Sequence, residues 1–464
     1  MSRALDVVVM AAGKGTRMKS RRPKVLHRLA GRALAQHVID CAARLSARSV
    51  VVITGHGAAE VEAGLSAPAG TPLRFVRQEP QLGTGHAVQQ AAPVLPDDGV
   101  TLVLSGDVPL TQADTLQALL QVCDGQRLAL LTLDLPDPTG YGRIVRTASG
   151  EVQAIVEHKD ATEAQRAIGE IYSGIMAVPT RLLRGWLARL DNRNAQAEYY
   201  LTDVVKFAVA DGLSVVAHRI DDAVQVAGVN SPQQLAELER AFQQRHAQAL
   251  MLQGVRLADP ARIDVRGELV CGQDVEIDIN CVFEGRVELG EGVRIGAHCV
   301  VANARIEAGA VIHPFTHIDG EKAGVRVGEG ALVGPFARLR PGADLGREVH
   351  IGNFVEVKNS TLAAGAKANH LAYLGDATVG ERVNYGAGSI TANYDGANKH
   401  RTVIEADVHV GSNCVLVAPV TIGAGGTVGA GSTITKDAPA GALSVARGKP
   451  VTIAGWQRPV KKKG

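Results

Sequence analysis

After about Gly254 the chain takes up a period of six, in which a large apolar residue, nearly always aliphatic, returns at every sixth position over three long series, and few folds can satisfy that spacing. Ile277, Phe283, Leu289, Ile295 and Val301 form one series. Val327, Val333, Leu339, Leu345, Ile351 and Val357 form a second, and Ile404, Val410, Leu416, Ile422, Val428 and Ile434 a third. A small residue often follows the aliphatic one, as in "VRIGAH", "VHIGNF" and "VTIGAG". Each hexapeptide then makes one flat side of a prism: a short strand points its aliphatic side chain inward, and the small residue lets the chain turn the corner. Three sides close a coil of about 18 residues, stacked about 4.8 Å above the last, which is a parallel β-helix. Spacing alone does not give its handedness.

A repeat of this length places residues 18 apart in one column. Arg340 and Lys358 follow inward residues, so both point outward, one coil apart. Two stacked cations repel unless an anion lies near them, and the two readings are a solvated basic face or a site for an anionic ligand, most simply a phosphate. Arg338 below Glu356 reads as an ordinary compensated pair. The segment "KANHLAYLGD" breaks the rhythm, because Val357 and Val379 stand 22 residues apart. The expectation is that about four residues leave the wall there and display His370 and Tyr373 near the two cations. A second departure, "TANYDGANKHR", reads as an exposed loop carrying Lys399. A lone histidine is usually structural or solvated; beside an anion site it becomes a candidate proton acceptor for an ammonium substrate near neutral pH.

The first half has another rhythm. "DVVVMAAG", "VVVITGHG", "LRFVRQ", "VTLVLSGD" and "LALLTLDL" are short apolar runs separated by amphipathic stretches, the pattern of a mostly parallel sheet covered by helices on both faces. Ser231-Pro232 supplies the cap and first-turn residue of a connecting helix with an apolar stripe of Leu235, Leu238, Phe242 and Leu250. The 464 residues, more than one core usually organises, thus divide into an α/β domain at 1–230, a helical linker at 231–252 and a β-helix at 253–464.

Parallel sheets bind ligands beyond the carboxyl ends of their strands. There the chain carries Gly13-Lys14-Gly15-Thr16-Arg17-Met18, which is neither a Walker A loop nor a full dinucleotide fingerprint. Glycines let backbone N–H groups approach a nucleotide, and Arg17 and Lys24 can neutralise charge on a polyphosphate. Ser105-Gly106-Asp107 ends another strand and offers a carboxylate suited to magnesium. Gly83 and Gly85 are suited to passing close to a flat base. A formal charge of +2 gives no reason to expect nucleic acid, and the terminal "KKKG" reads as a solvated end. No run approaches a membrane span or a signal peptide, and six scattered cysteines without metal-ligand spacing read as reduced thiols of a cytoplasmic protein.

Together, "AAGKGTRM", "PKVLH", "QLGTGHA", "GDVPL", "DPTGYGRI", "IVEHKDA", "AEYYLTD", "GPFARLRPG", "NFVEVKN", "HLAYLGDA", "NYDGANK" and "VAPVTIGAG" resemble, over nearly the whole chain, the bacterial family that joins an N-acetylglucosamine-1-phosphate uridylyltransferase to a glucosamine-1-phosphate N-acetyltransferase. The resemblance implies a dinucleotide-binding-like nucleotidyltransferase domain followed by a left-handed β-helix that assembles as a homotrimer. It places the uridine nucleotide of UTP and of the product on Met10, Ala11, Ala12, Gly13, Lys24, Gln78, Gly83 and Thr84, with Ser105 and Gly106 beside them. The sugar falls to Gly142, Glu157 and Tyr172, and Mg2+ to Asp107 and Asn230. In the second site it gives Arg340, Lys358, Tyr373, Asn384 and Lys399 to glucosamine-1-phosphate, and His370 the role of general base. Acetyl-CoA falls to Ala387, Asn393, Tyr394, Ser412, Ala430 and Arg447. From the residues alone, Tyr394 also reads as a loop anchor and Ser412 as a corner residue. The chain departs from the family at Tyr172-Ser173, where Asn-Thr is usual, so a phenol replaces a sugar-contacting amide. The expected activity is acetylation of glucosamine-1-phosphate followed by uridylyl transfer; the competing readings are a single-activity nucleotidyltransferase with a β-helix for assembly or regulation, and a scaffold without catalysis.

Overall fold

The computed structural model describes residues 4–461. The first three residues and the last three, which carry most of the basic end, lie outside them. The chain forms two compact units, Met1–Phe242 and Gln243–Gly464, and the helix Pro232–Leu252 contributes to both. Ser231 caps that helix through its hydroxyl, which accepts from the Gln234 N–H at 3.2 Å.

The N-terminal unit is built on a nine-stranded sheet whose main path runs Val215–Arg219, Leu128–Asp134, Glu170–Pro179, Gly99–Ser105, Ala4–Met10, Ser49–Thr54, Leu73–Arg77. Ala4–Met10 pairs in parallel with Ser49–Thr54 on one side and Gly99–Ser105 on the other. Glu170–Pro179 is antiparallel to both of its neighbours on this path, so the sheet is mixed. Continuous apolar runs are needed because both faces are covered. Val7 and Val9 pack in a core with helices Leu34–Ala43 and Ala113–Cys123. Val8 belongs to the opposite core, with Thr84–Ala91, Thr180–Leu187 and Asp203–Ala210. Strand order reverses at Ala4–Met10, where Met10 and Ser105 pair side by side at the carboxyl end of the sheet.

The C-terminal unit is a parallel β-helix. Every aliphatic residue of the three hexapeptide series is 6% exposed or less. One face stacks eleven strands from Arg256–Leu257 to Leu443–Ser444; the other two share a sheet because strands such as Val300–Ile306 bend around a corner, pairing through one half with His317–Asp319 and through the other with Val325–Val327. One corner is made by Asn280, His298, Phe315, Phe336, Phe354, Leu371 and Asn413, all in the left-handed region with φ between 51° and 61°. An L-residue adopts this conformation at a cost, which the ladder hydrogen bonds on either side offset. His298, Phe315, Phe336 and Phe354 stack face to face at centroid spacings of 4.9, 5.0 and 5.4 Å, close to the coil rise.

The break at "KANHLAYLGD" is not an excursion. Val357 pairs with Leu374, and Leu362 with Val379, so Val379 belongs to the next face. The inward positions run Val357, Leu362, Ala368, Leu374, Val379, Tyr385 and Thr391, all buried, in steps of five and six residues. The coil is one residue short, and the rhythm is hidden because alanine, tyrosine and threonine replace aliphatics at inward positions. Real excursions occur elsewhere: one over residues 320–324, where His317 pairs with Arg338, and one at the "TANYDGANKHR" loop, where Ile390 pairs with Val415.

Removing inward volume must leave a void that stacked coils cannot close. Leu345→Ala is therefore expected to destabilise the β-helix by about 2–5 kcal/mol and lower its calorimetric midpoint, whereas the outward neighbour change Asp344→Ala, which gives up only an exposed ion pair with Arg326, costs no more than about 1 kcal/mol.

Candidate active sites

At the carboxyl end of the N-terminal sheet, Met10, Ala11, Ala12, Gly13, Lys24, Gln78, Gly83, Thr84, Ser105 and Asp107 line one cavity. Several reach it because a strand ends there: Met10 and Ser105 close paired strands, and Gln78 follows Leu73–Arg77; Lys24 and Thr84 open short helices. Gly106 donates its N–H to the Met10 carbonyl at 2.9 Å, locking the Ser105-Gly106-Asp107 turn to the glycine loop. Gln81 and Glu198 line the same cavity and were not singled out from the sequence, although the "QLGTGHA" and "AEYYLTD" motifs contain them.

Gly83 and Gly85 answer to packing as well as to a ligand. A Cβ on Gly83 would lie 2.7 Å from the Tyr199 carbonyl, and one on Gly85 2.6 Å from Leu190. Gly85 donates to the Tyr199 carbonyl and Tyr199 to that of Leu82, so the glycine pair is clasped by the "AEYYLTD" segment. Gln78 is buried and donates to the Gly83 carbonyl at 2.9 Å.

Lys24 is the centre of the polar arrangement. Its ammonium forms an ion pair with Asp107 and donates to the Asn230 amide oxygen at 3.1 Å. A carboxylate and an amide oxygen thus already converge on one cation, and hard oxygen donors of this kind suit a magnesium ion. Among the described residues no cluster of three or more His, Cys, Asp or Glu side chains could hold a metal by itself, so water and a polyphosphate would have to complete the shell. Arg17 stands exposed on the one-turn helix Thr16–Met18.

Glu157 lines a neighbouring cavity with Thr202 and Tyr200 and accepts from the Thr202 hydroxyl at 3.0 Å. Burial pushes its pKa up, against the pull of that hydrogen bond. Gly142 is buried beside it; a Cβ there would lie 2.8 Å from Ile155. Tyr172 pairs with Gly142 in the sheet and is 7% exposed, and its hydroxyl has no hydrogen-bond partner among the described residues. Burial first and the Glu157 carboxylate second raise its pKa. Ser173 turns inward and donates to the Leu131 carbonyl.

In the β-helix, Arg338 and Leu339 pair with Glu356 and Val357, and the Arg340 N–H donates to the Val357 carbonyl at 2.9 Å, which stacks Arg340 under Lys358 as expected. Glu356 is shared: it lies 3.6 Å from Arg338 and accepts from Arg340 at 2.8 Å. The stacked cations are thus compensated on the Arg340 side. Lys358 pairs with Gly375, and a Cβ on Gly375 would fall 2.3 Å from the Tyr373 hydroxyl, so only glycine lets the phenol lie across the top of the cation column. Hydrogen bonding with the Lys399 side chain, then partial burial, then the charges of Lys399 and Arg340 lower the Lys358 pKa. The loop thus brings Lys399 to the column. Asn384 stands elsewhere, on the face of Lys367 and His409.

A second column runs along the neighbouring corner. The N–H of Leu371 donates to the Asn353 carbonyl, that of Gly388 to His370, that of Asn413 to Ala387 and that of Gly431 to Ser412. Asn353, His370, Ala387, Ser412 and Ala430 therefore occupy equivalent positions on successive coils, about 4.8 Å apart. Arg447 donates to the Ala430 carbonyl at 2.7 Å and closes the far end. Two residues do not join this column. Asn393 is buried and donates to Asp376, and the Tyr394 hydroxyl donates to the Gly396 carbonyl within its own loop, the anchoring role open to it from sequence.

A strand-end cleft on a nucleotidyltransferase-like sheet, continued by hexapeptide coils with a cation column and a histidine-bearing corner, defines a two-domain transferase. Residues 7–170 match the MobA-like NTP transferase domain, and 269–303 and 401–436 match the bacterial transferase hexapeptide repeat. The chain is 81% identical to Bifunctional protein GlmU of Polaromonas naphthalenivorans (strain CJ2), 79% to that of Polaromonas sp. (strain JS666 / ATCC BAA-500) and 77% to that of Paracidovorax citrulli (strain AAC00-1), each alignment covering 99% of both chains. The chain belongs to the bifunctional GlmU family, and its β-helix is left-handed. It is a bifunctional enzyme of UDP-N-acetylglucosamine synthesis, acetylating glucosamine-1-phosphate in its C-terminal half and transferring uridylyl to N-acetylglucosamine-1-phosphate in its N-terminal half.

The lowered Lys358 pKa yields a signed expectation. Free Lys358 releases its proton at lower pH than a lysine of the unfolded chain, so its contribution makes stability rise with pH between those two values. A bound anion offsets the repulsion and draws the proton back. Binding of glucosamine-1-phosphate at alkaline pH should therefore be accompanied by net proton uptake, read by calorimetry in two buffers of different ionisation heat. Lys358→Met should abolish that uptake.

Proposed function

We propose that the two halves act in series at the residues just described, with domains at 1–230 and 253–464 joined by the 231–252 helix. Acetylation comes first, because its product is the substrate of the other half. The observation that carries the reading is the pair of columns on the β-helix: a cation column of Arg340, Lys358 and Lys399, and a corner column that begins its polar run at Asn353 and His370 and continues as small residues.

In this reading the phosphate of glucosamine-1-phosphate rests against Arg340, Lys358 and Lys399, with the Tyr373 hydroxyl beside it. The pantetheine arm runs along Ala387, Ser412 and Ala430, whose short side chains leave room, toward Arg447. Asn393 and Tyr394 act through the loop that holds Lys399. His370 accepts the proton of the substrate ammonium, and the freed amine attacks the thioester carbonyl; collapse breaks the C–S bond, and the departing CoA thiolate takes the second proton of the nitrogen. Because Asn384 stands on a different face from the cation column, its contribution comes from a neighbouring copy, and a homotrimer supplies one.

In the N-terminal half the glycine loop, Gln78, Gly83 and Thr84 seat UTP, while Gly142, Glu157 and Tyr172 meet the sugar. The sugar phosphate is already an anionic nucleophile, so it attacks the α-phosphorus in line and pyrophosphate leaves without a dedicated base. Arg17 and Lys24 stabilise the charge that develops. Asp107 and Asn230 would hold Mg2+, which when bound neutralises triphosphate charge. Six free cysteines, five of them buried, and the lack of any helix long and apolar enough to cross a membrane among the described residues support a cytoplasmic setting.

The test supplies glucosamine-1-phosphate, acetyl-CoA, UTP and magnesium, and follows free thiol and pyrophosphate separately. Both should appear, with pyrophosphate dependent on acetyl-CoA; pyrophosphate from N-acetylglucosamine-1-phosphate alone, with no thiol, would make the β-helix a scaffold. His370→Ala should lose acetyl transfer by at least about 100-fold and keep uridylyl transfer. Mixing His370→Ala chains with Arg447→Ala chains should restore part of the acetyl transfer, and no recovery would argue against a site shared between copies.

A further inference from the structure

We infer that Asn353 is a positioning residue for acetyl transfer, which rests on the reading of His370 as the base: its side-chain oxygen fixes the His370 tautomer that leaves Nε2 free to take the substrate proton. His370 Nδ1 lies 2.9 Å from Asn353 Oδ1, one coil below it. An amide oxygen can only accept, so the ring must carry its proton on Nδ1 to make this bond. Nε2 is then the lone-pair nitrogen, on an exposed side chain. Without a partner the proton would exchange between both nitrogens, and part of the enzyme would face the ammonium with an N–H instead of a base.

The backbone holds the pair in register. Asn353 and His370 each precede a corner residue in the left-handed region, Phe354 at φ 57° and Leu371 at φ 51°. The Leu371 N–H donates to the Asn353 carbonyl at 3.0 Å, and Phe354 is stacked on Phe336. The shortened coil is what sets His370 directly over Asn353. Below Asn353 the same corner position is taken by Pro335 and Pro314, neither of which offers a side-chain acceptor. The ionisable groups around the pair are Lys367 on the histidine's own strand, His350 stacked under Lys367, and Glu356, Lys358 and Tyr373 past the corner. None of them is bonded to the imidazole among the described hydrogen bonds.

A neutral amide orients the ring without adding a charge, which separates its role from that of a carboxylate. Asn353→Ala should lower kcat for acetyl transfer about 10- to 100-fold at every pH with KM for both substrates unchanged, a part of what a positioned base supplies. Asn353→Asp keeps an acceptor and adds a negative charge, so kcat should recover at high pH while the acidic limb of the pH profile moves upward. The uridylyl transfer rate and the thermal midpoint, measured on the same full-length preparations, report whether each variant is folded. Parent kcat and pH profile in Asn353→Ala would overturn the inference, as would an unmoved acidic limb in Asn353→Asp, which decides the matter even if the alanine variant does not fold. A fully active His370→Ala would instead sink the reading beneath it.

Discussion

The interaction on which both the shape and the chemistry of the C-terminal unit depend is the backbone hydrogen bond between one coil and the next. Each such bond contributes only about 1 kcal/mol net, but leaving a buried one unmade costs more, so the ladder is satisfied along its whole length. Its consequence is geometric. A side chain's neighbour is set by the coil length, and residues far apart in sequence line up in columns without any packing of their own. Arg340 under Lys358 and Asn353 under His370 are products of that ladder. The corner at Leu371 then turns the chain between the histidine and the tyrosine that lies over the cation column.

Much of this was open to reading because period and burial coincide. Where the inward residue is a large aliphatic, the six-residue count locates every face, and the stacking of Arg340 on Lys358 follows from arithmetic. The count fails where Ala368, Tyr385 and Thr391 take inward positions, since each is as buried as a valine but does not look like one. A coil shortened by one residue then mimics an excursion. In the N-terminal half, alternating apolar runs disclose a sheet covered on both faces. They do not disclose that Glu170–Pro179 runs antiparallel, because a strand buried on both sides has the same composition in either direction. Glycines mislead in a related way: Gly83 and Gly85 suggest a ligand, yet the backbone of Tyr199 alone would demand both.

Side-chain partnerships were the least legible part. That Glu356 serves two arginines, or that Asn393 is spent on Asp376, depends on rotamers that spacing does not specify. Tyr172 is the reverse case, visible in sequence as a departure and in structure as a buried hydroxyl without a partner among the described residues. Such a group costs about 1–3 kcal/mol unless something meets it, and the buried Glu157 carboxyl lies close enough to influence its ionisation.

In the proposed assignment the two sites hold a phosphate by opposite electrostatic means. In the N-terminal cleft Lys24 is already neutralised by Asp107 and hydrogen-bonded to Asn230, so an incoming polyphosphate would compete with internal partners for the ammonium. That competition weakens binding of the bare anion and favours ligands that arrive with a cation able to take over the two oxygens. On the β-helix the cations face one another, with Glu356 engaging only the Arg340 end. Repulsion raises the free energy of the empty column, and a monoanionic or dianionic phosphate relieves it without any cation exchange. If the proposed sites are right, a triphosphate and a sugar phosphate are distinguished before any contact to base or sugar is made, by whether the lysine that meets them is paired or crowded.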